Sequence, residues 1–377
     1  MILEQVKALE YSKIRALNQL ANEETINLGI GRPYCKTPDY IKKAAIEAIN
    51  NDETYYSSNY GIKALRSEIA KRYNKGNFNN ALVTIGAAEG IYLVMRSVLE
   101  AGDEVLIPNP GYLVYEPIGR LTGAACKYYE LTKNYQIDFE SLSNNISAQT
   151  KMIIINNPGN PTGVAFKEED LEKLVQLANE KNIIILSDEA YQGLNYNGNR
   201  IKSLYDYNHD NNVIAISSVS KEFSMTGWRI GWIYGNQGFI DEMVKHHLLM
   251  NSCASTISQY AALEALKNNK GIVIKKLKEN KDIMASYLEK IEHIKYVHTE
   301  AGLYYFIDIS FYGNDDKITM DLLKQKNVLV IPGSAFGSKG KGHLRLSFGA
   351  KPNDIKEAMI RIIEFFKNID WKDKKWK

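Results

Sequence analysis

Lys221 has a serine three residues before it and an arginine eight residues after it, in the run Ser218-Val219-Ser220-Lys221-Glu222-Phe223-Ser224-Met225-Thr226-Gly227-Trp228-Arg229. An amine can condense with an aldehyde to form an imine. A hydroxyl and a guanidinium can hold a phosphate. Pyridoxal 5′-phosphate (PLP) carries both an aldehyde and a phosphate, and this run has groups for each end of it. A lone lysine would carry no such meaning, because most lysines are solvated surface residues.

Other residues able to do chemistry stand in turn-forming segments. Asp188, in Leu186-Ser187-Asp188-Glu189-Ala190-Tyr191, follows an apolar run and could simply cap a helix. Asn156-Asn157-Pro158-Gly159-Asn160-Pro161-Thr162-Gly163 could be no more than a tight loop, although two prolines around Asn160 fix its aim. Thr84-Ile85-Gly86-Ala87-Ala88 precedes an apolar-periodic helix, whose first N–H groups are free to bind phosphate. Tyr112 ends the turn Asn109-Pro110-Gly111-Tyr112. Arg345 sits inside Leu344-Arg345-Leu346-Ser347-Phe348, and burying it demands an anionic partner, internal or bound.

The elements that must position these residues are legible in outline. Residues 1–22 read as helix with Ile14, Leu17 and Leu20 on one face, and further helices are expected near 38–50 and 62–74. From residue 80 short β-branched runs alternate with helical spacing. Val105–Ile107, Met152–Ile155, Ile183–Leu186 and Val213–Ile216 read as strands buried on both faces. Leu171, Leu174, Val175 and Ala178 mark a helix between two of them. That βαβ pattern predicts an α/β fold with a mostly parallel sheet, and ligands bind such sheets at the carboxyl ends of the strands. After about residue 275 a long helix (272–292), strands at Tyr304–Asp308 and Leu344–Phe348 and a closing helix (353–368) predict a smaller α+β domain. The expected division is an arm over 1–40 packing with the small domain, a large domain over 41–275 and a small domain over 276–377.

A chain of 377 residues, 45% hydrophobic and 24% charged, suits a soluble two-domain protein. A net charge of +3 argues for neither nucleic acid nor a membrane surface. The basic, aromatic stretch Trp371–Lys377 reads as a solvated tail. Cys35, Cys126 and Cys253 lie far apart, and the six histidines show no zinc-type spacing, so no metal is assigned. The sparse cysteines and the lack of a basic-then-apolar start or a bilayer-length apolar run give the expectation of a cytoplasmic protein.

With these motifs in order from Gly31 to Arg345, the chain resembles the PLP-dependent class I/II aminotransferases, the aspartate aminotransferase-like branch of fold type I. The resemblance implies PLP on Lys221 as an imine. It pairs Asp188 with the pyridine nitrogen, which keeps the ring cationic and a better electron sink. Tyr191 and Asn160 match residues that bond the phenolic oxygen, and Tyr112 matches the aromatic on the ring face. The phosphate falls to the backbone of Ala87 and Ala88 and to Ser218 and Arg229, with Ser220 nearby. Arg345 would fork onto the substrate α-carboxylate, with Asn160 and the backbone of Gly31 beside it. Tyr56, with Tyr55 as the neighbouring register, matches a tyrosine that reaches the partner's phosphate, which implies a homodimer with shared sites.

The implied reaction moves an amino group from an L-amino acid to a 2-oxo acid, 2-oxoglutarate being the family's usual acceptor, by ping-pong kinetics with Lys221 as the proton carrier. A C–S lyase or cyclase on the same scaffold is the alternative, since fold does not fix reaction. A ligand-sensing regulator is disfavoured by the absence of room for a DNA-binding domain before Gly31. The loop Arg32-Pro33-Tyr34-Cys35-Lys36-Thr37-Pro38 departs from the family's more usual acidic residue and Phe. That departure bears on specificity: Arg32, Arg15 and several lysines are available for a distal carboxylate, and Tyr34 and Tyr304 are candidate lining residues for an aromatic or broad one.

Overall fold

Seven strands form the central sheet: β1 (Ala81–Thr84), β2 (Glu104–Asn109), β3 (Ala125–Glu130), β4 (Thr150–Asn156), β5 (Ile184–Asp188), β6 (Val213–Ser218) and β7 (Gly231–Tyr234). They lie in the order β1-β7-β6-β5-β4-β2-β3. All run parallel except β7, which is antiparallel to both its neighbours. This computed structural model describes every residue except 1, 3, 8, 10, 11, 75, 199, 200, 208–211 and 370–377, so the Trp371–Lys377 tail lies outside the described residues.

The continuous apolar runs follow from burial on both faces. Ile154, Leu186, Ile214 and Ile216 point into one core with the helix Ala87–Val98. Ile153, Ile155, Ile185 and Val213 point into the opposite core. There they meet Leu171, Leu174, Val175 and Ala178 of the helix Glu168–Glu180.

A second sheet is antiparallel, with Tyr304–Asp308 between His343–Ser347 and Lys295–Tyr296, and Ile331–Pro332 on the far side of His343–Ser347. The helices Ile272–Leu288 and Pro352–Asn368 pack against it through a core of their own, which includes Leu277, Met284, Leu346, Ile355 and Met359. Ile26–Asn27 pairs in parallel with Val328–Leu329, and Leu17 packs with Phe306, Leu329 and Phe336, so the N-terminal segment lies on this second unit.

The structure corrects several details. The strands β1, β3 and β7 do not stand out in the sequence. The edge strand β3 is polar and only Tyr129 is fully buried, while β1 and β7 are four residues each. The N-terminal helical segment is shorter than 1–22, with its main helix at Lys13–Gln19, and the helix read over 62–74 is Lys63–Ala70. Leu17 is buried but Leu20 is 57% exposed. Steps of three residues fall short of a helical turn by about 60° each, so Leu20 has rotated roughly 120° from Ile14.

Ile154 lies at the middle of β4 with no exposure. Ile154→Ala should cost about 2–5 kcal/mol of stability through lost burial and the cavity left behind. Denaturant unfolding would show this as a lower midpoint with an unchanged slope.

Candidate active site

The carboxyl edge of the sheet gathers residues from distant parts of the chain. Asn156 at the end of β4 pairs with Asp188 at the end of β5, and Asp188 pairs with Ile216 of β6. Because β7 runs the other way, its first residue, Gly231, abuts both Ser218 at the end of β6 and Thr84 at the end of β1. Arg229, two residues upstream of Gly231, thereby meets the turn after β1. Its guanidinium donates to the carbonyls of Ile85 (3.2 Å) and Thr226 (2.9 Å). Gly86, at φ +78°, closes that turn, and a Cβ there would lie 2.4 Å from the Arg229 Nη2. Only a glycine meets both demands.

These strand ends enclose a cavity of about 150 Å³. Ala87, Ala88, Ser218, Ser220, Thr226 and Arg229 are part of its lining. Asn160, Asp188, Tyr191 and Lys221 line it too, with Tyr112, Ile91, Asn156 and Ala190. Gly31 and Arg345 adjoin it. The Lys221 amine donates to the Gly31 carbonyl at 2.5 Å. A Cβ on Gly31 would fall 1.8 Å from the Tyr304 hydroxyl, so the close approach requires glycine there.

Electrostatics inside the cavity favour anionic ligands. Burial, and then the charges of Arg345 and Arg229, push the Lys221 amine down to about 8, with Asp188 opposing them. The Asp188 carboxyl, 3% exposed, is pushed up by burial. It is pulled back by hydrogen bonds from the Tyr115 hydroxyl (2.7 Å) and the Ala190 N–H (3.1 Å), and by the Lys221 charge. Glu189, the next residue, turns away from the cavity and takes hydrogen bonds from Ser187, Ser203 and the Leu204 N–H.

Arg345 is 2% exposed, and its hydrogen bonds go to neutral oxygens. It donates to Asn160 Oδ1 at 2.9 Å and to the Gly29 carbonyl, while its Nε is buried with no partner. Tyr304 and Phe336 flank it, with ring centroids 4.2 and 4.8 Å from the guanidinium carbon. The Tyr191 hydroxyl meets the Tyr304 hydroxyl at 2.8 Å.

Two residues in this network were not assigned these roles by sequence reasoning. Tyr115 holds Asp188. Its signal was the spacing of three from Tyr112 at a helix start, and the two rings meet edge to face at 5.6 Å. Tyr304, read only as a candidate lining residue, bonds Tyr191 and stacks on Arg345. Some expected residues lie elsewhere in the single chain. Tyr56 and Tyr55 are 87% and 79% exposed and flank a groove with Cys253 and Thr256. Arg32 and Tyr34 line a different groove, beside Thr37 and Trp228. Among the described residues no cluster of His, Cys, Asp and Glu could hold a metal ion, and no helix is long and apolar enough to cross a membrane.

The fold and cavity are those of an enzyme that works on small anionic compounds through a buried amine. Residues 23–362 match the family described as aminotransferase class I and II. The chain belongs to this family and is an aminotransferase of the PLP-dependent class, enzymes that act on an amino acid and a 2-oxo acid. It is 35% identical to a probable aspartate aminotransferase of Methanocaldococcus jannaschii, over 97% of this chain and 100% of that one. It is also 35% identical to an aspartate aminotransferase of Pyrococcus horikoshii, over 96% of each. The solved aspartate aminotransferase of Thermotoga maritima superposes with a TM-score of 0.90 at 32% identity, covering 97% of this chain and 100% of that one.

In the ligand-free protein the Lys221 amine should be half neutral near pH 8, well below an ordinary lysine. Mass-spectrometric rates of Lys221 acylation against pH should show that midpoint. Removing a repelling cation by Arg345→Gln should move the midpoint upward. A midpoint above 10 in the unaltered protein would contradict the geometry.

Proposed function

We propose that PLP occupies the Lys221 cavity and that Arg345 reads the α-carboxylate of an amino acid donor, then that of the 2-oxo acid acceptor. The single observation that carries this is the buried Arg345, whose hydrogen bonds go to neutral oxygens and whose Nε is unpartnered. A buried guanidinium left so is costly, and a bound carboxylate removes the cost. Every α-amino acid and 2-oxo acid brings one.

The residues present fit the cofactor. The turn at Gly86 is pressed against Arg229, and helix N–H groups at Ala87 and Ala88, with the Ser218 and Ser220 hydroxyls, suit a phosphate. Lys221 would hold the aldehyde end. Asp188 would face the ring nitrogen, Tyr191 and Asn160 the phenolic oxygen, and Tyr112 the ring face. When bound, PLP supplies an aldehyde for the donor's amino group and an electron-poor ring that accepts electrons as Cα loses its proton.

The chain's own residues do the rest. Arg345 and Asn160 fix the donor by its carboxylate. The Lys221 amine, kept largely deprotonated at mildly alkaline pH by burial and nearby cations and so free to accept a proton, takes the Cα proton and later returns it. Tyr115 keeps Asp188 aimed into the cavity. Because donor and acceptor share Arg345, the first keto acid leaves before the second enters. The same reading takes residues 1–40 as an arm, 41–275 as the cofactor-binding domain and 276–377 as the small domain. It assigns the exposed Tyr56 to a second copy of the chain in a cytoplasmic homodimer.

The finer reading is an aspartate donor with 2-oxoglutarate as acceptor. The names of the relatives support the aspartate donor, 2-oxoglutarate is the acceptor expected from the family, and nothing observed favours a lyase or cyclase. Arg15, on the helix Lys13–Gln19, adds positive charge felt at the Tyr112 hydroxyl, where a second carboxylate could be met.

The PLP-loaded protein should lose its yellow absorbance when given aspartate alone, with one equivalent of keto acid released per site. Persistence of the band while pyruvate and ammonia accumulate from another amino acid would replace transamination with elimination. Lys221→Ala should abolish the yellow band's response. Arg345→Gln should lower kcat/KM for aspartate roughly 30- to several-thousand-fold, about 2–5 kcal/mol. Arg15→Gln should raise KM for aspartate while leaving that for alanine within about two-fold; an equal change for both would remove Arg15 from the specificity argument.

A further inference from the structure

The helix that begins at Ala87 carries an acid in its first turn, Glu89. An acid there ordinarily folds back on the helix's own free N–H groups, and its charge favours that end of the dipole. At this helix such a contact would compete with a bound phosphate. Glu89 does something else. One carboxylate oxygen, Oε2, takes the N–H of Ile85, upstream of the Gly86 turn. The other, Oε1, is held by His247 Nδ1 at 2.8 Å and by Asn251 Nδ2 at 2.6 Å. Both anchors come from the helix Gln237–Asn251, about 160 residues away in sequence.

The contacts are sheltered, with the side chains of His247 and Glu89 0% and 7% exposed. An imidazole nitrogen facing a carboxylate oxygen must carry the proton, so Nδ1 donates. The far nitrogen, Nε2, is buried without a partner. A buried imidazole with one nitrogen unsatisfied is costly, and the bond to Glu89 is what it makes in return. The other side of the turn is fixed from the opposite direction, since Arg229 donates to the Ile85 carbonyl and the Thr84 hydroxyl donates to the Gly86 carbonyl. The Ile85 N–H and carbonyl are thus both occupied, while Ala87 and Ala88, whose N–H groups belong to the first helical turn and have no intrahelical acceptor, line the cavity.

We propose that His247 and Asn251 are positioning residues that hold the Glu89 carboxylate on the Ile85 side of the turn and off the Ala87 and Ala88 N–H groups of its own helix, so that these stay open to the dianionic phosphate of the cofactor. This rests on the reading that the Gly86–Ala88 turn holds that phosphate. Without the latch, the Glu89 carboxylate gains freedom and turns toward the phosphate site. The penalty falls on phosphate-bearing ligands alone.

The test compares PLP with pyridoxal, which lacks the phosphate, by equilibrium titration of the full-length ligand-free protein. His247→Gln should weaken PLP binding roughly ten-fold, the scale of one charge at a helix terminus, and leave pyridoxal within about two-fold. Asn251→Ala, on the same oxygen, should shift PLP in the same direction by less, and serves if the His247 variant does not fold. Adding Glu89→Gln to His247→Gln should recover most of the loss, because the competing charge is gone. Equal weakening of both ligands, or no recovery in the double variant, overturns the latch. Arg229→Ala is the control for the underlying reading and should also weaken PLP selectively. If it does not, the phosphate assignment fails, and the latch with it.

Discussion

Two sheltered cations, Lys221 and Arg345, and one carboxylate, Asp188, act on one another in a small space, and the exposed Arg229 guanidinium adds its charge from the cavity lining. Lys221 feels Arg345 and Arg229, and Asp188 is the acid that answers them. Burial raises the cost of every unpaired charge, so this surplus of positive charge is stable only because the amine gives up its proton readily and because anions can enter. The chemistry assigned to the site follows from the same imbalance. A neutral amine near pH 8 is a nucleophile and a base. A guanidinium without an internal acid is a receptor for a carboxylate.

The sheet makes that concentration of charge possible. Parallel strands bring their carboxyl ends to one edge, and β7, entering antiparallel, delivers the residues before it to the same edge. Arg229 therefore meets the turn at Gly86 although 143 residues separate it from that turn in the chain. The second unit contributes from above, with Arg345 on its own strand and Tyr304 on the strand paired with it. The Gly29–Gly31 segment completes the enclosure through carbonyls that accept from Arg345 and Lys221. Chemistry at this site thus depends on how the two sheets and the N-terminal segment lie together, and the small side chains at Gly31 and Gly86 are what the close approaches demand.

What the sequence determined by itself was whatever local physics or motif spacing encodes. Apolar runs announced β2, β4, β5 and β6, because strands buried on both faces leave no polar alternation. Helical spacing announced Glu168–Glu180. The order of Gly31, Tyr112, Asn160, Asp188, Lys221, Arg229 and Arg345 pointed to the family. Tertiary structure alone decided the rest. Strands β1 and β7 are wholly buried but only four residues long, and the edge strand β3 buries only Tyr129, so none leaves a pattern, and their pairing partners supply what propensity does not. The role of Tyr115 at Asp188, of Tyr304 at Tyr191 and Arg345, and of His247 and Asn251 at Glu89 each rests on a contact between segments distant in the chain. Such contacts leave no periodicity or spacing in one sequence, since the hydrogen bond that defines each residue exists only after the chain has folded.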